Sequence, residues 1–382
     1  MQQPAPAIMQ PIKRQRLLSL DFFRGITVAG MILVNNPGDW EHVYAPLEHS
    51  KWNGCTPTDL VFPFFLFMVG VSITLSIGPK KDNKLSHRKL ILTALKRSII
   101  IYIISAVIHF LFVFNFNNFR ILGVLPRIAI VFFISVVIYL KTNFKQQLWI
   151  FSIILIVYYL LMNFVPVPGV GYSNLEPSTN LAAWLDRTIL TTKHMWSGSK
   201  TFDPEGILST LPAISTCLFG IFVGTELRRK DKPEANKATW LFSFAILAIV
   251  AGLIWDKFFP INKALWTSSF VLYTGGIATA GLTLSYWLID VQQRKKYIIP
   301  FVAYGANAIT AYVAADVVLA VLDWFHPTLH GQKVGLQQYL YETCFVPFFS
   351  PYNASVAGAI TYVIILMIPM IILYKKKIFI KV

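Results

Sequence analysis

Apolar stretches long enough to cross a bilayer recur ten times along this chain, and that recurrence restricts its fold more than any other feature. A hydrocarbon core of about 30 Å takes roughly 17 to 25 helical residues. The candidate spans cover about 18–36, 59–77, 98–115, 121–140, 148–165, 207–225, 239–255, 266–289, 298–322 and 354–374. None shows the alternation of a barrel strand, and a backbone facing lipid must satisfy its own hydrogen bonds, so each span is expected as a helix. The fold class that follows is all-α, a polytopic integral membrane helical bundle of about ten transmembrane helices. No cleavable signal is expected. The first 15 residues are polar and carry Pro4, Pro6 and Pro11, and the first apolar run holds Asp21 and Arg24 with no small-residue cleavage site behind it.

Charge agrees with a membrane setting. Only 14% of the 382 residues are charged, against about 25% in soluble domains, which is too few to cover a globular surface. The formal charge of +16 is unevenly placed. Of 34 Lys and Arg, 24 fall in the N-terminal tail, the even-numbered connections and the C-terminal tail, and 8 fall on the other side. The positive-inside rule then makes both termini cytoplasmic and turns the long segments 37–58, 166–206 and 323–353 outward. Basic runs wedged between apolar stretches are not the solvated patch that a phosphate backbone needs, so no nucleic-acid partner is expected. Cys55, Cys217 and Cys344 include no CxxC pair, which argues against a structural zinc site and a disulfide framework. With no fixed-period repeat, the simplest division is one membrane domain over 18–374 between a tail at 1–17 and a basic tail at 375–382.

Some residues do not belong on a lipid-facing helix. Asp21 and Arg24 stand three apart on one face of the first span, and Arg127 and Asp316 lie in later ones. An ionisable residue inside a span faces the bundle or an aqueous cavity. Asp21 and Arg24 can be a structural pair, with Gly25 allowing close helix contact, or part of a ligand path. The outer end of span one and the loop after it pack Asn35, Asp39, His42, Glu48, His49, Trp52, Asn53 and Asp59 into 25 residues. His42 and His49 are separated by Pro46, which prevents a continuous helix and with it a metal-ligand spacing. Asp203 and Glu205 precede span six, as helix-capping acids or as a carboxylate site for a cationic group. Polar residues of PINKALWTSS at 260–269 and Asn307 within span nine stand where ligand-facing groups could converge.

Several of these segments carry a resemblance. SLDFFRGI at 19–26, Val34–Asn35, HSKWNG at 49–54, DLVFPFFLF at 59–67, GVLPR at 123–127, DPEGIL at 203–208, PINKALW at 260–266 and KKKIF at 375–379 look, in order and spacing, like the heparan-α-glucosaminide N-acetyltransferase family and its bacterial relatives. The resemblance implies a polytopic enzyme that transfers acetyl from cytoplasmic acetyl-CoA to the amine of a glucosamine-type sugar across the membrane, with no metal. It places the family's active-site histidine at His49 and its asparagine at Asn35. It also implies a homodimer, and a bacterial inner membrane is the expected location. This chain departs from the lysosomal member in a longer gap between Asn35 and His49, and in Ala315 where that member has histidine before an acidic residue.

The chemistry is consistent with that reading. A neutral imidazole takes a proton from an amine near neutral pH, so His49 suits a general base, and it could equally carry the acetyl group itself. Asn35 can donate to a developing oxyanion, and Asp59 can orient the imidazole. Expected substrate contacts are Asp203, Glu205, Trp52, Asn53, Asn262, Lys263, Trp266, Ser269 and Asn307. Expected cofactor contacts, on CoA phosphates, are Arg24 and Arg127 with Asp21. The competing reading is a secondary transporter for a sugar or amino sugar, which should show an inverted repeat; none is visible.

Overall fold

The computed structural model describes residues 17–112 and 116–380, so the expected tail at 1–17 lies almost wholly outside the described residues. Thirteen α-helices follow in chain order: α1 (Leu18–Asn35), α2 (Val61–Asp82), α3 (His87–Phe112), α4 (Val124–Lys141), α5 (Phe144–Phe164), α6 (Leu181–Ile189), α7 (Thr210–Leu227), α8 (Glu234–Asp256), α9 (Ser268–Tyr286), α10 (Ile299–Ala306), α11 (Ala308–Leu322), α12 (Leu336–Cys344) and α13 (Pro351–Lys375). The one sheet among the described residues is a two-stranded ribbon pairing Thr328–Leu329 with Gln332–Lys333. Among the described residues, eight helices are long and apolar enough to cross a membrane, namely α1 to α5, α7, α8 and α13.

The two remaining expected spans differ from expectation. The stretch 298–322 is not one helix: α10 and α11 meet at Asn307 with a bend of 85°. Asn307 sits in the break rather than inside a span. Its Nδ2 donates to the Ile378 carbonyl at 3.3 Å, and its Oδ1 accepts from the Ile380 N–H at 3.0 Å. The stretch 266–289 is helical, as α9, but rich in Ser, Thr and Gly and not among the eight. The reason is its position: most of α9 is buried between neighbours, where small and hydroxylated residues serve packing and Thr274, Thr279 and Thr283 bond back to the preceding turn.

The bundle is ordered by which helices bury themselves. α7 is almost wholly buried, with α2, α4, α5 and α9 around it. α2 meets α7 backbone to backbone, because a Cβ on Gly70 would overlap the Cys217 carbonyl oxygen. Gly25 of α1 likewise faces the Phe301 carbonyl of α10. Apolar side chains are left outside on α3 (Leu92, Ile99, Ile103), α8 (Ile246, Leu247, Ile254) and α13 (Ile364, Ile365, Ile368). Such continuous apolar exposure would be costly in water and is ordinary in hydrocarbon.

Candidate active site

A cavity of about 220 Å³ opens where the end of α1 meets the beginnings of α2 and α4 and the loops leading into α7 and α9. Apolar side chains of Val61, Phe62, Phe65, Leu125 and Ile128 make its walls, and its polar lining includes Asn35, His49, Thr58, Arg120, Glu205, Lys263 and Tyr312. Few convergent polar groups in an apolar recess is the form of a small-molecule site.

His49 reaches this cavity on the loop between α1 and α2, and Asp59 meets it from the 3₁₀ turn Pro57–Leu60. That turn forms because Thr56 and Asp59 make a capping box, after which the apolar run of α2 begins. Asp59 is 1% exposed, and its Oδ2 accepts from the backbone N–H of Ser50 and Thr56, both at 3.0 Å, and from Thr56 Oγ1 at 3.1 Å. Its Oδ1 lies 2.7 Å from His49 Nδ1. A carboxylate fixed this way accepts the Nδ1 hydrogen and leaves Nε2 with the lone pair. Lys263 completes the cluster, with Nζ at 3.1 Å from Nδ1 and 3.2 Å from Nε2. Burial, with the Asp59 carboxylate adjacent, pushes the Cys55 thiol up to about 12, which removes it as a thiolate nucleophile at neutral pH.

The expected substrate residues divide in two. Glu205 and Lys263 line the cavity together with the expected catalytic residues His49 and Asn35. Five others build the frame instead. Asn262 is buried, donates from Nδ2 to Asn53 Oδ1 at 3.1 Å and accepts from the Leu265 N–H at 2.8 Å, tying PINKALW to WNG. Trp52 Nε1 donates to the Leu175 carbonyl at 3.0 Å. Trp266 is fully buried with Nε1 on Thr216 Oγ1 at 3.0 Å, and Ser269 Oγ donates to the Phe259 carbonyl at 2.5 Å.

Asp203 and Glu205 do not present free carboxylates. Arg120, which the sequence did not single out, donates to Asp203 from Nε at 3.0 Å and from Nη2 at 2.5 Å, and to Glu205 from Nη2 at 2.6 Å. Asp203, 2% exposed, also accepts from the N–H of Trp196 and Glu205, each at 2.9 Å. Burial works against the Arg120 charge, but Glu205 and Asp203 outweigh it and hold the guanidinium protonated well above the usual arginine range. Nearby, burial pushes the Asp186 carboxyl up to about 6 although it accepts the Ile207 N–H at 2.9 Å.

The expected cofactor residues stand apart from the cavity. Arg127 is 0% exposed, with Nη2 donating to Ser209 Oγ at 2.5 Å and the Gly206 carbonyl at 3.1 Å, and its guanidinium lies 5.1 Å from the Trp266 ring centre. Its Nε and Nη1 have no hydrogen-bond partner among the described residues. A phosphate cannot reach it without a rearrangement of the wall. Arg24, near the other end of α1, donates to Asp21 at 3.2 Å, to the Gly305 carbonyl at 3.1 Å and to Ser72 Oγ at 2.7 Å, bracing α1 against α2 and α10.

Fold and site together describe a polytopic helical membrane protein with a histidine–carboxylate–lysine cluster opening on an apolar recess. Residues 16–255 match the family model of the catalytic region of heparan-alpha-glucosaminide N-acetyltransferase, and the chain belongs to that family. The mouse heparan-alpha-glucosaminide N-acetyltransferase is 29% identical over 371 residues, covering 82% of this chain and 56% of the mouse protein. The human protein of the same name is 28% identical over 355 residues, covering 79% of this chain and 53% of its own length. The chain thus spans about half the length of the curated relatives it matches. His49, Asp59, Arg120 and Arg127 fall within the family match, while Lys263 lies beyond it.

Proposed function

We propose that this protein is a membrane N-acetyltransferase that moves an acetyl group from cytoplasmic acetyl-CoA to the amine of a glucosamine-type sugar on the opposite side. The observation that carries this reading is the His49–Asp59 pair at the cavity, in a member of this acetyltransferase family. Asp59 holds the imidazole in one tautomer, and Nε2 takes the amine proton as nitrogen attacks the acetyl carbon. The Asn35 amide lines the same cavity and donates to the oxyanion. At about 220 Å³ the recess is smaller than the roughly 300–1,000 Å³ of sites that enclose drug-sized ligands. It therefore takes the acetyl thioester end and the amine, with the nucleotide part of the donor held elsewhere.

The acceptor amine reacts as the free base, and Asp203 and Glu205, both engaged by Arg120, present no free carboxylate to hold it as an ammonium. Arg24, with a side chain 19% exposed at the other end of α1, stays a candidate for the phosphates on the cytoplasmic path. The charge asymmetry of the connections supports cytoplasmic termini and an outward-facing cavity. A bacterial inner membrane and a homodimer complete the reading.

Purified protein in lipid vesicles, given labelled acetyl-CoA and a panel of amino sugars, is expected to yield a labelled N-acetyl sugar. Product at only the level of the His49→Ala protein would refute the proposal, and sugar uptake without acetylation would favour a transporter.

A further inference from the structure

The roles above give the Lys263 proton no part, although its ammonium stands beside the reacting imidazole. Its Nζ lies within 3.2 Å of both His49 ring nitrogens and 3.7 Å from Asp59 Oδ1, and it lines the cavity that holds Asn35. Its placement is fixed from behind. The Gly54 N–H donates to the Ile261 carbonyl at 2.7 Å, Asn262 bonds Asn53, and Trp266 adopts a left-handed φ of 54° to turn the loop into α9. The groups facing Lys263 are His49 and Cys55 from the α1–α2 loop, Asp59 from the turn into α2, and Glu205 from the loop into α7. Burial lowers the Lys263 ammonium below the usual lysine value against the pull of Asp59 and Glu205, so it gives up its proton more readily than a solvated lysine.

We propose that Lys263 is the general acid of acetyl transfer, protonating the sulfur that leaves as the acetyl group passes to the amine. This rests on the acetyltransferase reading and deepens it. The amine nitrogen bonds the acetyl carbon, the carbon–sulfur bond breaks, and its electron pair stays on sulfur. Lys263 supplies the proton that makes the free thiol, and His49 Nε2 takes the proton shed by the amine. Neutral Lys263 then recovers that proton from Nε2 across 3.2 Å. The cluster returns to its starting protonation, and the sum is amine plus thioester giving amide plus thiol.

The test separates a proton donor from a fixed charge. Lys263→Cys, made with Cys344→Ser to remove the exposed thiol, is alkylated either with 2-bromoethylamine or with (2-bromoethyl)trimethylammonium. Both products restore a cation of lysine-like length, and only the first carries a transferable proton. With acetyl-CoA and glucosamine, unmodified Lys263→Cys should lose roughly 10²–10⁴-fold in kcat. The aminoethylated protein should regain at least about tenfold of that, and the trimethylammonium protein should not. Recovery with the quaternary cation, no recovery with either, or a wild-type rate in unmodified Lys263→Cys would overturn the assignment. If the Lys263 parent itself acetylates no amino sugar, the acetyltransferase reading falls and this inference with it.

Discussion

Between α1 and α2, two histidines seven residues apart each meet an aspartate at nearly the same distance. His42 Nδ1 stands 2.6 Å from Asp39 Oδ2, and His49 Nδ1 stands 2.7 Å from Asp59 Oδ1. Their surroundings differ. The imidazoles do not differ in the expected sense, since the His49 side chain is 51% exposed and that of His42, edge-on to Tyr352, 36%; the carboxylates do, with Asp39 30% exposed. Asp59 is 1% exposed, holds two backbone N–H groups, and shares its histidine with a lysine at the mouth of a cavity. His42 beside it holds the Asp39 carboxyl below the usual carboxylate range, yet exposed ion pairs contribute only about 0–1 kcal/mol. A carboxylate–histidine bond is thus not a site by itself. What sets the second pair apart as a candidate is a carboxylate buried and held by backbone N–H groups, beside a recess that His49 lines.

The largest effect expected from this contrast is on turnover. His49→Ala should cut acetyl transfer by roughly 10²–10⁴-fold while acetyl-CoA binding survives, and His42→Ala should keep most activity. Initial rates of both variants beside calorimetric binding of the donor check this, and equal losses in the two would erase the distinction between the pairs.

A second contrast lies in the scaffold. Arg120→Met should destabilise the protein by about 3–5 kcal/mol, because it strands the carboxylates of Asp203 and Glu205 out of water. Asp39→Asn should cost no more than about 1 kcal/mol, since its partner is solvated. Thermal denaturation in one detergent measures both. Comparable losses would mean that burial does not separate the two regions.

Much of the fold was legible in the sequence because apolar length is nearly sufficient to define a membrane helix. The break at Asn307 was not, since YGANAITAY contains no proline and keeps its apolar run; the partner that captures the Asn307 amide is the segment Ile378–Ile380, some seventy residues on. The placement of α9 inside the bundle was only faintly written, in its Gly, Ser and Thr content. At the candidate site, the crowding of polar residues between Asn35 and Asp59 pointed to the loop that reaches the cavity, and the resemblance chose His49 over His42. Arg120 was missed because it reads as one more loop arginine until Asp203 and Glu205, over eighty residues later, are folded against it. Trp266, Asn262 and Asn53 were read as ligand contacts for the same reason in reverse. Polar and aromatic residues near a site look alike in sequence, whether they face a substrate or hold a loop.

The central claim is that His49 and Asp59 act as one catalytic unit, whereas His42 and Asp39 do not. A double-mutant cycle on acetyl-transfer turnover, using His49→Ala, Asp59→Asn and the two combined, tests it most directly. Groups that act as a unit lose their shared contribution once, so the double variant should turn over within about twofold of His49→Ala alone. Losses that multiply, with the double variant slower by the full product of the single effects, would show that Asp59 only holds the loop and would contradict the account.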